Sequence, residues 1–197
     1  MVTIRQLQKA EEIELCEKLP IANRLWGTDN EMICYGQMGY LAKKEWVVKL
    51  TACEEEPRAT YTQNDEPVYK DSALEVFLNF APEADKYINF EVNANGALLC
   101  HFGRKGEREP VAGKSVHCAS VSVQRMEDEW AVLLRIPLGL INDCFGDVKL
   151  ETGAEMRFNL YKISETEDIL HFISYTDIPV EKPDFHLPQY FARGIMG

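Results

Sequence analysis

The sequence predicts an all-β protein, an antiparallel β-sandwich with little helix. Beyond about residue 25, apolar and polar side chains alternate with period two between turn residues, which is typical of sandwich or barrel strands. Stretches with helical periodicity are scarce. The best of them, IPLGLINDCFG (136–146), is short and ends in glycine, so it predicts one or two helical turns.

The length and composition of the chain fit one domain over residues 1–197. Hydrophobic residues make up 46% of the sequence, which is enough for a substantial core. The periodicity of residues 1–25 is imperfect and predicts an extended segment along the body, with a short helix as the alternative. No stretch approaches the roughly 20 apolar residues that a membrane-spanning helix needs.

The charge of the chain restricts its partners. A formal net charge of −11 argues against nucleic acid, whose binding proteins present a basic face, and disfavours docking on anionic lipid. Neutral sugars and calcium are compatible with this charge. The sequence therefore predicts neither nucleic-acid nor membrane binding.

The cysteine pattern gives an expectation about the compartment. The first 20 residues contain no apolar run bounded by a small-residue cleavage site, and no pair of cysteines has redox or zinc-site spacing. We therefore expect a cytoplasmic protein with free, buried thiols. The six cysteines are Cys16, Cys34, Cys53, Cys100, Cys118 and Cys144.

Two strands in the middle of the chain carry the clearest alternation. In LEVFLN (74–79) the even positions are aliphatic, and the odd positions are Glu75, Phe77 and Asn79. In YINFEVN (87–93) the even positions are again apolar, and the odd ones are Tyr, Asn, Glu and Asn. Successive side chains of a strand point to opposite faces, so the odd positions form one polar and aromatic face.

Two later strands follow the same rule. In MRFNLY (156–161) the even positions face the core, whereas Arg, Asn and Tyr face outward. In WAVLLRI (130–136) the even positions, which begin with Trp130, form the core face. Outer faces that combine amides, carboxylates and aromatic rings suit the recognition of sugar hydroxyls and C–H faces. The alternative is an ordinary solvated sheet face.

Five segments of the sequence occur in a characteristic order. They are RATYTQNDEPVYKDSALEVFLNF (58–80), YINFEVNANGALLCHFG (87–103), WAVLLRIPLGLI (130–141), MRFNLYKI (156–163) and ISYTDIPVEKPDFHLPQYFARGIM (173–196). Together they resemble the family 9 carbohydrate-binding modules. The resemblance implies jelly-roll-like connections and a site that holds a mono- or oligosaccharide between two aromatic rings, without cleaving it.

The resemblance also implies which residues bind the sugar. Tyr69 and Tyr175 stand at the two clamp positions, where the family more often has Trp, and Glu75 stands at the position of the carboxylate that binds hydroxyls. Further polar contacts are implied at Glu91, Asn93, Asn159 and Arg157, and Arg58 flanks the same region. The two Tyr residues keep open a second hypothesis, in which the sandwich has lost sugar binding and contacts a protein partner instead.

Two further hypotheses are weaker. Glu75 and Glu91 could form the carboxylate pair of a glycoside hydrolase, but the surrounding amides do not supply the apolar setting that a general acid needs. His101 and Met126 could be the axial ligands of a haem, although nothing in their setting singles them out.

The sequence predicts no cofactor and no metal ligand set, with calcium as the one candidate ion. None of the four histidines has metal-ligand spacing, which argues against zinc. We expect His186 to hold a corner by hydrogen bonding. The acidic clusters 54–56, 65–66 and 165–168 could offer oxygen ligands to calcium, but they lack the spacing of a calcium loop.

Overall fold

Strands make up most of the regular secondary structure in the computed structural model, which describes residues 1–197. The strands are β1 Val2–Gln6, β2 Leu19–Pro20, β3 Asn23–Arg24, β4 Cys34–Leu41, β5 Glu45–Ala52, β6 Ala73–Asn79, β7 Tyr87–Asn93, β8 Leu98–Arg104, β9 Glu107–Pro110, β10 Ser120–Arg125, β11 Trp130–Pro137, β12 Glu155–Ser164, β13 His171–Ser174 and β14 Ala192–Met196.

Helix is confined to short pieces. The one α-helix, α1 (Leu138–Phe145), lies where the sequence predicts it and ends at Gly146, whose φ of 91° favours glycine. The 3-10 helices are Ala10–Leu15, Val68–Lys70, Val111–Gly113, Glu167–Ile169 and Pro188–Tyr190. None of these helices has the length and hydrophobicity needed to span a bilayer. The predicted all-β class with little helix is confirmed.

The strands form two facing layers. We call β14–β12–β6–β7–β8–β9 the site sheet and β10–β11–β5–β4 the far sheet. Within each layer the neighbouring strands are antiparallel. The short strands β13, β3 and β2 pair at the margins of these layers.

The first strand corrects the prediction of two separate, purely antiparallel sheets. β1 pairs in parallel with β14 on one side and with β4 on the other, so the two layers form one continuous curled sheet. The N-terminal segment is thus largely extended, as predicted, with a short 3-10 helix. Strand β1 is part of the sheet because its backbone groups complete the hydrogen bonding of the neighbouring strands β14 and β4.

The main core lies between the two layers and follows the predicted alternation. The even residues of 74–78 and of 130–136 are fully buried there, together with Phe158 and Leu160 of β12. Trp46 and Trp130, both fully buried, are its largest side chains. Burial of this apolar surface away from water is the main force that favours folding.

The opposite face of the site sheet carries a second apolar cluster, which we call the outer cluster. Phe77, Tyr87 and Tyr161 project from its strands and are fully buried. They are covered by the C-terminal segment 177–191, which also contributes Phe185. The phenol of Tyr161 stacks on Phe185 at 4.1 Å and donates a hydrogen bond of 3.1 Å to its carbonyl oxygen. Much of the face that the sequence predicts to be free is therefore covered.

None of the six cysteines forms a disulfide, and Cys16 and Cys34 are buried. No three carboxylate, imidazole or thiol groups converge where they could hold a metal ion. Two of the acidic clusters have other partners: Glu66 accepts hydrogen bonds from the backbone N–H groups of Thr62 and Gln63, and Glu54 contacts a buried lysine.

This buried ionic network connects the two layers. Lys162 of β12 is fully buried, and its ammonium lies 3.5 Å from a Glu54 carboxylate oxygen and 2.8 Å from His171 Nε2. The same Glu54 oxygen accepts hydrogen bonds from Ser72 Oγ and from Trp130 Nε1 of β11. Burial lowers the pKa of Lys162, and the negative charge of Glu54 opposes this shift.

We expect Glu54→Ala to lower the free energy of unfolding by about 3–5 kcal/mol, because it leaves a buried ammonium without its counter-ion. Chemical denaturation measures this loss. Glu55→Ala, one residue along and exposed, is the matched control and should stay within about 0.5 kcal/mol of wild type. Equal losses in the two variants would contradict a structural role for the network.

Candidate functional site

A pocket of about 420 Å³ opens on the outer face of the site sheet, beside the outer cluster. Its volume falls within the roughly 300–1,000 Å³ of small-molecule sites. Strands β6, β7 and β8 form its floor, and the C-terminal segment forms one wall. The chain around Trp26 and Tyr69 supplies aromatic rings to the lining.

Strand register sets the floor of the pocket. Glu75 of β6 lies directly opposite Glu91 of β7, and the same row continues to Tyr161 of β12 and Leu99 of β8. Opposite residues on one face of a sheet have Cβ atoms about 5 Å apart. Two carboxylates are therefore held side by side at the bottom of the pocket.

The two carboxylates are almost completely buried but differ in their partners. Glu91, 4% exposed, accepts a hydrogen bond of 2.8 Å from Asn89 Nδ2. Glu75, 2% exposed, lines the pocket and forms no hydrogen bond with the protein. Burial and the neighbouring Glu91 raise the pKa of Glu75 well above its ordinary value, and burial raises the pKa of Glu91 to about 7.

A guanidinium group reaches the same floor indirectly. Arg108 of β9 donates a hydrogen bond of 3.0 Å to Asn89 Oδ1, so Asn89 connects Arg108 to Glu91. His101 of β8, opposite Asn89 in register, also lines the pocket, and burial followed by the charge of Arg108 lowers its pKa. Neutral imidazole, amide and guanidinium groups together offer both donors and acceptors.

Two half-buried aromatic rings of the pocket come from distant parts of the chain, whereas the lining rings of Phe172 and Phe185 are buried. Tyr69 belongs to the 3-10 helix before β6, and Trp26 follows β3. Trp26 has a φ of 50°, which is uncommon for a non-glycine residue, and its Nε1 donates a hydrogen bond of 2.7 Å to the Val180 carbonyl. The indole also packs edge-on against Phe172 at 5.4 Å. Both side chains are half-buried, so each keeps some exposed surface.

His186 holds the C-terminal wall of the pocket in place. Its ring stacks on Phe77 at 5.0 Å, and its Nδ1 lies 3.0 Å from the Tyr87 hydroxyl. Burial lowers the pKa of His186 to about 3, so the imidazole is neutral and Nδ1 can accept the phenolic hydrogen. The corner role that the sequence predicts for His186 is confirmed.

Three of the predicted site residues, Tyr69, Glu75 and Glu91, lie together in the pocket. The predicted clamp between Tyr69 and Tyr175 is wrong. Tyr175 stacks on Phe158 at 5.5 Å and packs against the main core, on the opposite side of the site sheet from the pocket. Besides Tyr69, the other half-buried aromatic ring in the pocket lining is that of Trp26.

Asn93 and Arg58 are not in the pocket, which corrects their prediction as ligand contacts. Both side chains are engaged by buried Asp71: Asn93 Nδ2 donates a hydrogen bond of 2.8 Å to it, and Arg58 Nε lies 3.5 Å from its other oxygen. Asn93 Oδ1 also accepts from the N–H groups of Asn95 and Ala97. This arrangement stabilises the turn between β7 and β8.

Asn159 and Arg157 are also outside the pocket. Asn159 is fully buried, donates to Thr176 Oγ1 at 2.7 Å and accepts from the Thr176 N–H at 3.2 Å, so it anchors the start of the C-terminal segment. Arg157 lies two residues before Asn159 in β12 and so is further from the row that contains Glu75 and Glu91. It pairs in register with Asn79 and Arg193. The alternation placed both on the correct face, but other parts of the chain cover that face there.

The haem hypothesis finds no support in the geometry of its two ligands. His101 lines the pocket on the site sheet, whereas Met126 is 44% exposed in the turn between β10 and β11 of the far sheet. The pair does not share a site, and the axial-ligand prediction is wrong.

Sequence reasoning missed several pocket residues, although signals for two of them exist. Trp26 precedes glycine and falls outside any alternating strand, which sets it apart from Trp46 and Trp130. His101 alternates with core residues of β8 and thus shares the face of Glu91. Arg108 carried no such signal, because its position depends on how β9 pairs with β8.

A second cavity, of about 470 Å³, lies on the outer face of the far sheet beneath the first 3-10 helix. No aromatic ring lines it. Three of its four charged side chains have partners, since Lys49 contacts Glu14 at 2.6 Å and Arg135 contacts Glu45 at 2.7 Å. This cavity therefore lacks the aromatic rings and the buried carboxylate pair that mark the first pocket.

Comparison with known families decides the relationship of the chain. Residues 38–196 match the model of carbohydrate-binding family 9. The chain belongs to that family. No curated protein matches the sequence.

Several solved structures share the fold. A putative carbohydrate-binding protein from Bacteroides uniformis is 21% identical, covers 100% of this chain and 98% of its own, and superposes with a TM-score of 0.80. A family 9 module from Caldicellulosiruptor kristjanssonii in complex with cellotriose is 13% identical, with 99% and 92% coverage and a TM-score of 0.68. The same module in complex with glucose gives 13% identity, 100% and 94% coverage and a TM-score of 0.68.

The buried carboxylates predict how stability depends on pH. The pKa of Glu91 is about 7 in the folded protein and about 4.3 in an unfolded chain. The folded state therefore binds more protons between these values, and stability is lost as pH rises through about 7. We expect Glu91→Gln, which mimics the neutral acid, to be more stable than wild type at about pH 8, by about 3 kcal/mol, but not at about pH 4.

Denaturant unfolding at these two pH values measures the effect. Glu109→Gln, exposed on β9, is the control and should follow wild type. A Glu91→Gln variant that is equally destabilised at both pH values would contradict the raised pKa.

Proposed function

We propose that this pocket binds a sugar without cleaving it. The observation that carries the proposal is Glu75, a buried carboxylate without a protein hydrogen bond, at the floor of a pocket lined by the rings of Trp26 and Tyr69. A buried polar group without a partner is costly, so its presence in an accessible pocket indicates a ligand that supplies the missing hydrogen bonds.

Each part of a sugar has a counterpart in the pocket. Exposed surface of the indole and phenol rings stacks on the C–H face, and Glu75 accepts hydrogen bonds from hydroxyl groups. His101 of β8 and Arg108 of β9 add hydrogen-bond donors to the lining. Membership of carbohydrate-binding family 9, and the complexes of its C. kristjanssonii member with glucose and cellotriose, support this assignment.

The arrangement of the two carboxylates favours binding over hydrolysis. Glycosidases place two carboxyl groups on either side of the scissile bond. Glu75 and Glu91 instead project side by side from adjacent strands, so a ligand meets both from the same side. The amide of Asn89 also ties Glu91 in place at 2.8 Å, away from a role as acid or nucleophile.

Removal of either pocket ring should weaken sugar binding. We expect Trp26→Ala and Tyr69→Ala each to cost about 1–3 kcal/mol in binding free energy, because each loses a stacking surface. Trp26→Phe, which keeps a ring, should lose less. Isothermal titration calorimetry with glucose and cellotriose measures these changes.

Tyr175→Ala is the matched control for the ring variants. It should bind sugar as wild type does while its unfolding free energy falls, because Tyr175 packs on Phe158 outside the pocket. Sugar binding that depends on Tyr175 but not on Trp26 would place the site elsewhere and contradict the proposal.

Prolonged incubation with cello-oligosaccharides should release no new reducing ends. Chromatography of the products, with Glu75→Gln as a parallel sample, checks this expectation. Cleavage by wild type that disappears in Glu75→Gln would show hydrolysis at this pocket and overturn the non-catalytic assignment.

A further inference from the structure

The charges that line the pocket are not balanced. Glu75, Glu91 and Glu165 all line it, and none of them takes part in an ion pair. Asp184, the fourth carboxylate of the lining, is paired with Lys105. Glu165 stands at the mouth, and the other two unpaired carboxylates form the floor.

One guanidinium is the only permanent cation in the lining. Arg108 forms no ion pair, and its hydrogen bond goes to the neutral Asn89 oxygen rather than to a carboxylate. Lys162, the next cation along the sheet, projects from the opposite face of β12 and belongs to the network with Glu54. The floor therefore holds two acidic groups beside one basic group.

A cation at the floor would relieve this imbalance. When both are ionised, Glu75 and Glu91 are adjacent like charges in a buried setting, where their repulsion is poorly screened. An ammonium group has three donors, enough to bridge the two carboxylates, and its hydrogen bonds to them are charge-assisted. A metal ion fits less well, because no three ligating groups converge in the protein.

We propose that the pocket selects a cationic amino sugar, whose ammonium group lies between Glu75 and Glu91 while its ring stacks on the aromatic side chains. This inference rests on the proposed sugar-binding function and adds the class of sugar to it. A neutral sugar offers single hydroxyl donors in place of the ammonium and leaves the carboxylate repulsion in place.

Binding of the cation should also release a proton. The pKa values of both floor carboxyls are raised, so near neutral pH the pair retains protons that a neighbouring ammonium makes unfavourable. Calorimetry in two buffers of different ionisation enthalpy detects this release. Glucose, which is uncharged, should produce much less of it.

The test compares glucosamine, glucose and N-acetylglucosamine by titration of the whole protein at about pH 6.5, where the pair is partly protonated. We expect glucosamine to bind about tenfold more tightly than glucose, a difference of about 1.4 kcal/mol. N-acetylglucosamine has the same substituted carbon without the charge and should lose this advantage. Nα-acetyl-lysine amide, which carries the ammonium without the sugar ring, should bind far more weakly than glucosamine.

Variants separate charge from shape. Glu91→Gln should lower the ratio of glucosamine to glucose affinity by about tenfold, whereas the exposed Glu109→Gln should leave this ratio unchanged. Circular dichroism and thermal unfolding of each variant verify that it is folded.

Three results would overturn the inference while leaving sugar binding in place: glucose binding as tightly as glucosamine, N-acetylglucosamine matching glucosamine, or a Glu91→Gln variant that keeps the preference. Tight binding of the lysine derivative would show recognition of an amine alone and would also overturn it. Failure of all three sugars to bind would instead refute the proposed function itself.

Discussion

The packing of the C-terminal segment on the outer face of the site sheet is the contact on which the pocket depends. Phe185 stacks on Tyr161, and His186 stacks on Phe77 and hydrogen-bonds Tyr87. Without these contacts, the floor carboxylates would stand on an open, hydrated face. With them, the face divides into a sealed apolar part and a recess of about 420 Å³. A neutral His186 is essential here, because a charged ring would be buried among phenylalanines and tyrosines.

The recess changes the chemistry of the residues below it. A carboxylate on a hydrated sheet is an ordinary surface acid, but Glu75 and Glu91 are 2% and 4% exposed. Their burial costs folding free energy, and the cost rises as both groups ionise. The buried Lys162–Glu54 network on the other side of the same sheet differs, because each of its charges has a partner. Glu75 and Glu91 have no counter-ion, although the buried charges on the other side of the sheet are paired. Such a difference is typical of a site that is completed by a ligand.

The sequence predicted the faces of the strands well and the coverage of those faces poorly. Alternation along 74–79, 87–93 and 156–161 assigned every side chain to its correct side, because the side-chain period of a strand is fixed. The parallel pairing of β1 was missed, since register between segments at opposite ends of the chain leaves no local pattern.

The site was predicted only in part for the same reason. Glu75 and Glu91 lie opposite one another within a single hairpin, so the local sequence pattern is enough to predict that they are neighbours. Asn93, Asn159 and Arg58 have polar side chains that could bind a sugar. Their contacts go instead to Asp71 and Thr176, where they stabilise turns. Tyr175 follows β13 on the side of Phe158, whereas Trp26, from the opposite end of the chain, lines the pocket.

The origin of Trp26 has a consequence for how binding preferences diversify within the family. The family match begins at residue 38, so the indole lies in a stretch that precedes it. Its Nε1 donates a hydrogen bond to the Val180 carbonyl, and its ring packs on Phe172 and Phe185. The charged floor, in contrast, is built into the shared strands β6 and β7. A substitution at position 26 can therefore exchange one aromatic surface of the pocket, while β1 and the sheet that carries the polar floor stay in place.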